Sequence, residues 1–385
     1  MPFIIYVLSL TIFCMTTSEF MVAGMMNTLS SEFDVTVSAV GYLITAFSAA
    51  MVIGGPLLTA GLLNVPKKQA FLSLTAVFLA GQTLGALAWN YEAMMVSRIV
   101  TGVASSAIFG ISVSMCAMLV NEKSRGRAVS SLFTGMMLAS VLGTPLATAA
   151  AQAYGWRFSF WAVSVLTLLS GVLALWLIPS SPKPMQAQLW KELAAFRNRH
   201  LWTAYSTSFL IIGATFAAFS YFSPIFTNVT GFSSEVVPLL LAAYGAATVL
   251  GNFITGRLAD RYTMQLLTAG LVILAAALLS FAAGAHLPVV AISAILFIGL
   301  VGLPMNPPMV ARVMRVAEGN TMVNTVHTAI VTFGVAVGSS VGGLLISAGY
   351  GLRSSLWLGF GLATVGLLSL LPYLKRSKSQ TSIAE

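Results

Sequence analysis

Residues 179–200 read PSSPKPMQAQLWKELAAFRNRH, the one long polar interruption in a chain otherwise made of apolar runs. Pro179, Pro182 and Pro184 remove backbone donors and stop any helix that enters. Lys191, Glu192, Arg197 and Arg199 follow, and such charges are expensive inside a bilayer. The stretch therefore reads as a linker, with Leu189, Trp190, Leu193 and Phe196 suited to an amphipathic surface helix. A membrane-crossing helix takes about 20 apolar residues. Working outward, six such runs precede the linker, near 3–28, 37–63, 69–90, 92–120, 127–152 and 157–178. Six more follow it, near 201–228, 235–258, 264–285, 287–311, 319–348 and 353–374. The predicted architecture is an all-α membrane protein of 12 transmembrane helices in two six-helix bundles, over 1–178 and 201–385, joined by the linker 179–200.

Charge patterning gives the orientation. All 19 Lys and Arg except Arg98, Arg157 and Arg353 fall into every second gap between apolar runs. These clusters are Lys67/Lys68, Lys123/Arg125/Arg127, Lys183/Lys191/Arg197/Arg199, Arg257/Arg261, Arg312/Arg315 and Lys375/Arg376/Lys378. The alternate gaps hold Glu32 and Asp34, Glu92, Glu235 and His286. Basic loops stay on the cytoplasmic side during insertion, so the linker and both termini are expected there. Hydrophobic residues make up 58% of 385 and charged residues 8%, against about 25% charge in a soluble domain. The net charge of +9 borders the apolar runs instead of forming one patch. It reads as a topology signal and a contact for anionic lipid headgroups, with no nucleic-acid partner. Cys14 and Cys116 lie inside apolar runs, as small buried hydrophobes outside any disulfide framework. Met1-Pro2 lacks a basic start and the first run is too long for a cleaved signal.

The two halves look like copies. A shift of 196 residues (350 − 154) carries Tyr154-Gly155-Trp156-Arg157-Phe158-Ser159 onto Tyr350-Gly351-Leu352-Arg353-Ser354-Ser355. The same shift carries Gly55 onto Gly251 and Asn64 onto Asp260. An even number of spans per half makes the repeats parallel, pseudo-symmetric about the membrane normal, with a seam at mid-membrane where a substrate cavity forms.

This 6+6 plan resembles the major facilitator superfamily, over nearly the whole chain. Ser18-Glu19-Phe20 followed by Gly24 resembles the first-span motif of bacterial drug/proton antiporters. Ser97-Arg98 with Gly102 resembles the R-x-x-x-G motif of span four. Gly143-Thr144-Pro145, then Gly155-Trp156-Arg157, resembles the antiporter motif of span five and the turn after it. Gly256-Arg257-Leu258-Ala259-Asp260-Arg261 is similar to the family's loop signature, found here between spans eight and nine. The chain departs from the pattern at the Gly55–Lys68 loop, which carries no acid, at Asn27 in place of Pro, and at Ala147 in place of Gly. Among branches it is most similar to drug, sugar and nucleoside exporters, including the chloramphenicol-resistance type. The resemblance implies a major facilitator fold, rocker-switch alternating access and proton-driven export.

Buried ionisable groups cost several kcal/mol, so each needs a partner or a purpose. Glu19, Arg98 and His327 are the obvious candidates. From the 1.5 Å rise per residue, Glu19 sits roughly 14 Å and Arg98 roughly 10 Å below the outer surface. A Glu19–Arg98 attraction is therefore geometrically possible and would offset part of the desolvation cost of each. Contact with a guanidinium or with water alters a carboxyl's proton affinity, which suits Glu19 to proton coupling and Arg98 to tuning it. The alternatives are a structural pair, an Arg98 that contacts an anionic substrate group, or one that pins span four to backbone carbonyls. His327 in span eleven reads as a hydrogen-bonded packing residue, with proton coupling or substrate contact as the alternatives.

Gating candidates are Gly102, the bend at Gly143 and Pro145 facing the other half, and the cluster Gly256, Arg257, Asp260 and Arg261. Gly251 and Gly256 are read as allowing close helix approach there. Span ten, with Gly302, Pro304, Pro307 and Pro308, reads as a second broken helix that exposes Asn306 to substrate. Further substrate-binding candidates are Asn27, Thr215, Phe219, Tyr221 and Phe222, on aromatic walls suited to varied amphipathic ligands. No nucleotide loop or metal-ligand spacing is present in the sequence. The expected function is a proton-coupled exporter of small amphipathic molecules, with a small-molecule substrate, protons and lipid as partners and no cofactor beyond the proton gradient. It is expected to work as a monomer in a bacterial inner membrane. An importer or facilitator of the same fold is the first alternative, and a membrane-embedded enzyme or receptor the second.

Overall fold

The computed structural model describes residues 2–62, 65–120, 125–179, 194–317 and 321–381. Among these residues, 11 helices are long and apolar enough to cross a membrane: Phe3–Gly24, Val37–Gly55, Lys67–Ala86, Tyr91–Cys116, Ser131–Tyr154, Trp156–Leu177, Arg199–Phe219, Ser234–Ala259, Arg261–Gly284, Pro288–Val316 and Val326–Tyr350. They are spans one to eleven. Span twelve is the helix Ser354–Thr381, with its apolar stretch at Ser354–Leu370. Leu189, Trp190 and Leu193 of the expected surface helix lie outside the described residues, and Phe196 sits in a short 3-10 turn, Ala194–Arg197.

Helix breaks fall where the chain loses a donor or a Cβ. Span five runs through a wide turn at Ala139–Gly143 and resumes at Thr144, which places Pro145 in a first turn, where its missing N–H costs least. Span ten stops at Val301, passes Gly302 (ψ −86°) and a 3-10 turn Leu303–Met305, and restarts at Asn306. Both breaks agree with the sequence. Span one ends earlier than expected, at Gly24, and a separate short helix, Met26–Phe33, follows. Asp34 closes that helix at φ 51°, a left-handed conformation Asp tolerates. Span seven ends at Phe219, followed by a short helix Phe222–Ile225 and a wide turn Phe226–Thr230. Tyr262 (φ −123°, ψ 33°) marks the kink between spans eight and nine.

Contacts divide the chain into two compact units. The first contains Met1–Ala187 with Phe222–Thr227 and Phe232–Gly245; the second contains Gln188–Tyr221, Asn228–Gly231 and Ala246–Glu385. In the first, span four packs between spans two and three. In the second, span seven packs on spans eleven and twelve.

The internal repeat is visible as one device used twice. Gly155 and Gly351 each take positive φ, 87° and 76°, which favours Gly. The Arg two residues on turns back in each copy. Arg157 donates to the Ala88 carbonyl beyond span three, and Arg353 donates to the Ala282 and Ala283 carbonyls ending span nine. Carbonyls at a helix end lack intrahelical partners, so a guanidinium there caps the helix and neutralises its negative end.

Candidate functional site

Within the described spans, Glu19 is the one acidic side chain away from a helix end. It is half-buried on span one, while its neighbours Ser18 and Arg98 are fully buried. The depths agree, since Arg98 reaches this turn of span one directly. Arg98 Nη1 donates to the Ser18 carbonyl at 2.9 Å and to Ser18 Oγ at 3.2 Å, and Nη2 donates to the Glu19 carbonyl at 3.3 Å. The guanidinium also lies 4.3 Å from the Phe47 ring centroid, a favourable cation–π contact.

Arg98 pins span four to span one's backbone, and its charge acts on the Glu19 carboxyl electrostatically, with no direct hydrogen bond or ion pair between the two side chains among the described residues. The physical reason is the fork of five guanidinium donors: one turn of span one offers a hydroxyl and two carbonyls in reach. No protein acceptor reaches Arg98 Nε.

A third polar residue completes this group. Gln82 of span three is fully buried, and Ser18 Oγ donates to its Oε1 at 2.7 Å. Sequence reasoning missed it. The available signal was an amide in an otherwise apolar span, which needs partners for its donors and acceptor.

A second polar group lies in the second unit. His327 Nε2 is 2.9 Å from Ser208 Oγ, and its ring stacks on Tyr205 at 5.8 Å between centroids. That matches the packing reading of a lone histidine. Nearby, Arg312 Nη1 donates to Thr207 Oγ1 at 2.8 Å, and Thr207 is 3.0 Å from Ser369 Oγ. Arg312 was expected in a loop with Arg315. It is instead 7% exposed within the helix Asn306–Ala317, because the restarted helix runs past the expected end of span ten.

The gating candidates separate. At Gly102 a Cβ would fall on the Phe47 carbonyl oxygen, so spans two and four touch there through backbone. Gly143 faces Thr17 of span one, and Pro145 is buried within the first unit. The wide turn itself meets span eight, where a Cβ at Gly245 would fall on the Ser140 carbonyl oxygen, so the bend faces a helix of the other half, as expected of a rocking surface. Gly251 allows close approach to the Leu300 carbonyl, whereas a Cβ at Gly256 would meet open space. The expected close approach holds for Gly251 alone. Arg257 and Arg261 lie exposed over the Phe253 and Tyr262 rings, at 3.9 and 5.3 Å. The Asp260 side chain is outside the described residues.

The substrate candidates are spread over both units. Asn27 Nδ2 donates to Thr227 Oγ1 at 2.8 Å within the first unit. Phe222, also there, is fully buried between Phe226 and Tyr244. In the second unit Thr215 returns its hydroxyl to Ile211 of its own helix, at 2.9 Å, and lies against Gly302. Phe219 packs edge-on to Phe216, and Tyr221 donates to the Ser339 carbonyl at 2.8 Å. Asn306 is half-buried at the restart of span ten. Thr215, Phe219, Tyr221 and Phe222 are thus internal packing residues in this state, while Asn27 and Asn306 keep accessible surface. Among the described residues no three His, Cys, Asp or Glu gather as metal ligands would.

Comparison with known proteins agrees with this architecture. Residues 8–326 match the Major Facilitator Superfamily. The chain is 30% identical over 377 residues to the inner membrane transport protein YdhP of Escherichia coli (strain K12), covering 98% of this chain and 96% of that one. It is 30% identical over 378 residues to the chloramphenicol resistance protein of Streptomyces lividans, covering 97% and 96%. Among solved structures, the nucleoside transporter NupG superposes with a TM-score of 0.78 at 14% identity, covering 96% of this chain and 99% of that one. With 11 membrane-length apolar helices among its described residues and its near full-length relatives, the chain belongs to the Major Facilitator Superfamily and is a multi-pass membrane transporter.

Proposed function

We propose that this transporter is a proton-coupled exporter of small amphipathic molecules in a bacterial inner membrane, with both termini in the cytoplasm. The observation that carries the reading is Glu19: the one acid away from a helix end in the described spans, half-buried, beside a buried arginine whose hydrogen bonds go to backbone and Ser18 instead of the Glu19 carboxyl. A carboxyl with one accessible face and a cation within reach can take a proton in one state and release it in another. A relative named for chloramphenicol resistance supports drug-like cargo, and a relative named as an inner membrane transport protein supports the location. The alternation of basic clusters supports the orientation.

The test is proton movement in proteoliposomes on adding chloramphenicol, a sugar and a nucleoside in turn, with wild type beside Glu19→Gln. Compound-dependent proton release that disappears in Glu19→Gln is the expected result. Unchanged proton release in the variant overturns Glu19 as carrier. Flux that runs down its own gradient without protons favours the facilitator.

A further inference from the structure

Gln82 has no part in the reading above, yet it is fully buried in an apolar span, where an unpaired amide is costly. Its Oε1 accepts from Ser18 Oγ at 2.7 Å, and its Nε2 donates to the Phe160 carbonyl at 3.4 Å. Hydrogen counting fixes the direction of this chain. Ser18 Oγ accepts from Arg98 Nη1 at 3.2 Å, and a hydroxyl carries one hydrogen. That hydrogen goes to Gln82, which turns the Ser18 lone pairs toward the guanidinium. Gln82 thus acts on Arg98 through a single hydroxyl.

Held this way, Arg98 bonds carbonyls, and its Nε has no protein acceptor. Two parallel N–H bonds to one carboxylate are the strongest arrangement a guanidinium can make. The Glu19 carboxyl belongs to the same residue whose carbonyl Arg98 already holds. The other charged groups described on elements packed against span one sit at helix ends: Glu32, Glu92 and Arg157. Arg98 is therefore the charge that can act on Glu19.

We propose that Gln82 is a positioning residue for proton exchange: by orienting the Ser18 hydroxyl it keeps Arg98 on the backbone of span one and off the Glu19 carboxylate. Loosening the Ser18–Gln82 bond frees the guanidinium to pair with the carboxylate as its proton leaves. This inference rests on Glu19 as the proton carrier.

The test needs no substrate. Infrared difference titration of the full chain in lipid reads the C=O stretch of protonated carboxyls, in wild type, Glu19→Gln, Gln82→Met and Ser18→Ala. Met keeps the length of Gln and removes both bonds. A band that titrates in wild type and is missing from Glu19→Gln is expected. At the same pH that band is weaker in Gln82→Met, by up to about tenfold in the ratio of protonated to ionised form, the effect of bringing a cation into contact. Ser18→Ala should match it, and the double variant should go no further, as for two residues acting through one bond. If no band is lost in Glu19→Gln, the carrier reading falls and this inference with it. A Glu19 band whose titration is identical in Gln82→Met and Ser18→Ala leaves the carrier standing and overturns the role of Gln82. Should Gln82→Met fail to fold, Ser18→Ala, which removes one oxygen, decides alone.

Discussion

Gly102→Ala and Gly110→Ala place the same methyl on one face or another of the same helix, Tyr91–Leu119. At Gly102 the methyl would meet the Phe47 carbonyl oxygen and the Ala50 side chain; at Gly110 it would meet nothing within 4 Å. Backbone cannot rotate away as a side chain can, so the helices must part at Gly102. Both variants gain up to about 1 kcal/mol because Ala forms helix better than Gly. That gain cancels in the comparison. The difference between them is the overpacking cost alone, about 1–3 kcal/mol. Equilibrium unfolding in detergent, by denaturant titration of both variants beside wild type, reads it. Gly110→Ala should equal or exceed wild type in stability, with Gly102→Ala below it. Two variants of equal stability, or Gly102→Ala as the more stable, would refute the close contact of spans two and four.

Three further substitutions probe other parts of the molecule. Arg353→Ala removes hydrogen bonds from a cation to two carbonyls, and such bonds are worth about 1.5–3 kcal/mol each. Arg157→Ala removes one carbonyl bond and a Glu32 pair that is 46% and 38% exposed, an exposed pair being worth under about 1 kcal/mol. Thermal unfolding should therefore fall further for Arg353→Ala. Asn27→Ala loses the bond to Thr227, about 1 kcal/mol, hence about fivefold in the population lacking that contact. Labelling of a Ser223→Cys probe by an impermeant thiol reagent should speed up by that factor. His327→Phe keeps the stack on Tyr205 and loses the Ser208 bond. Proton coupling should persist, and its loss in a proteoliposome assay would make His327 part of the relay.

What the sequence revealed and what it hid follow from how local each cause is. Pro145 and the Gly302–Pro308 run break helices through their own φ and missing N–H, so both breaks were legible without tertiary information. Arg157 and Arg353 were legible as a pair because the repeat sets them in the same turn. Arg98 was legible as a buried charge, but not its acceptors, since carbonyls are present at every residue and only packing selects Ser18 and Glu19. Gln82 was hidden because its partner lies on another span, and register between spans is not written in either one. Arg312 was misplaced because charge counting assigns every basic residue near a span end to a loop. The Gly256 error was avoidable. Five residues advance a helix by about 500°, which leaves Gly251 and Gly256 about 140° apart and unable to serve one interface.

The repeat also shows which residues belong to structure and which to chemistry. The shift of 196 that pairs Arg157 with Arg353 pairs Ser18 with Ala214, Glu19 with Thr215, Gln82 with Leu278 and Arg98 with Ala294. In the second unit these four positions are all buried and carry no charge. The second unit thus keeps the helix-end clamp and lacks the whole polar group around Glu19. Packing alone does not call for that group, since the same fold position is filled by Ala, Thr and Leu one repeat later. A buried charge whose counterpart is Ala needs a reason other than the fold. Arg312, the buried charge of the second unit, corresponds to Cys116 and faces different hydroxyls, so it is no copy of Arg98. On the proposed reading proton exchange runs through the first unit alone, and the second contributes helices, aromatic packing and the broken span ten. The asymmetry predicts that changes at Thr215 or Ala294 alter packing and leave coupling intact, while Ser18, Glu19, Gln82 and Arg98 act as one set.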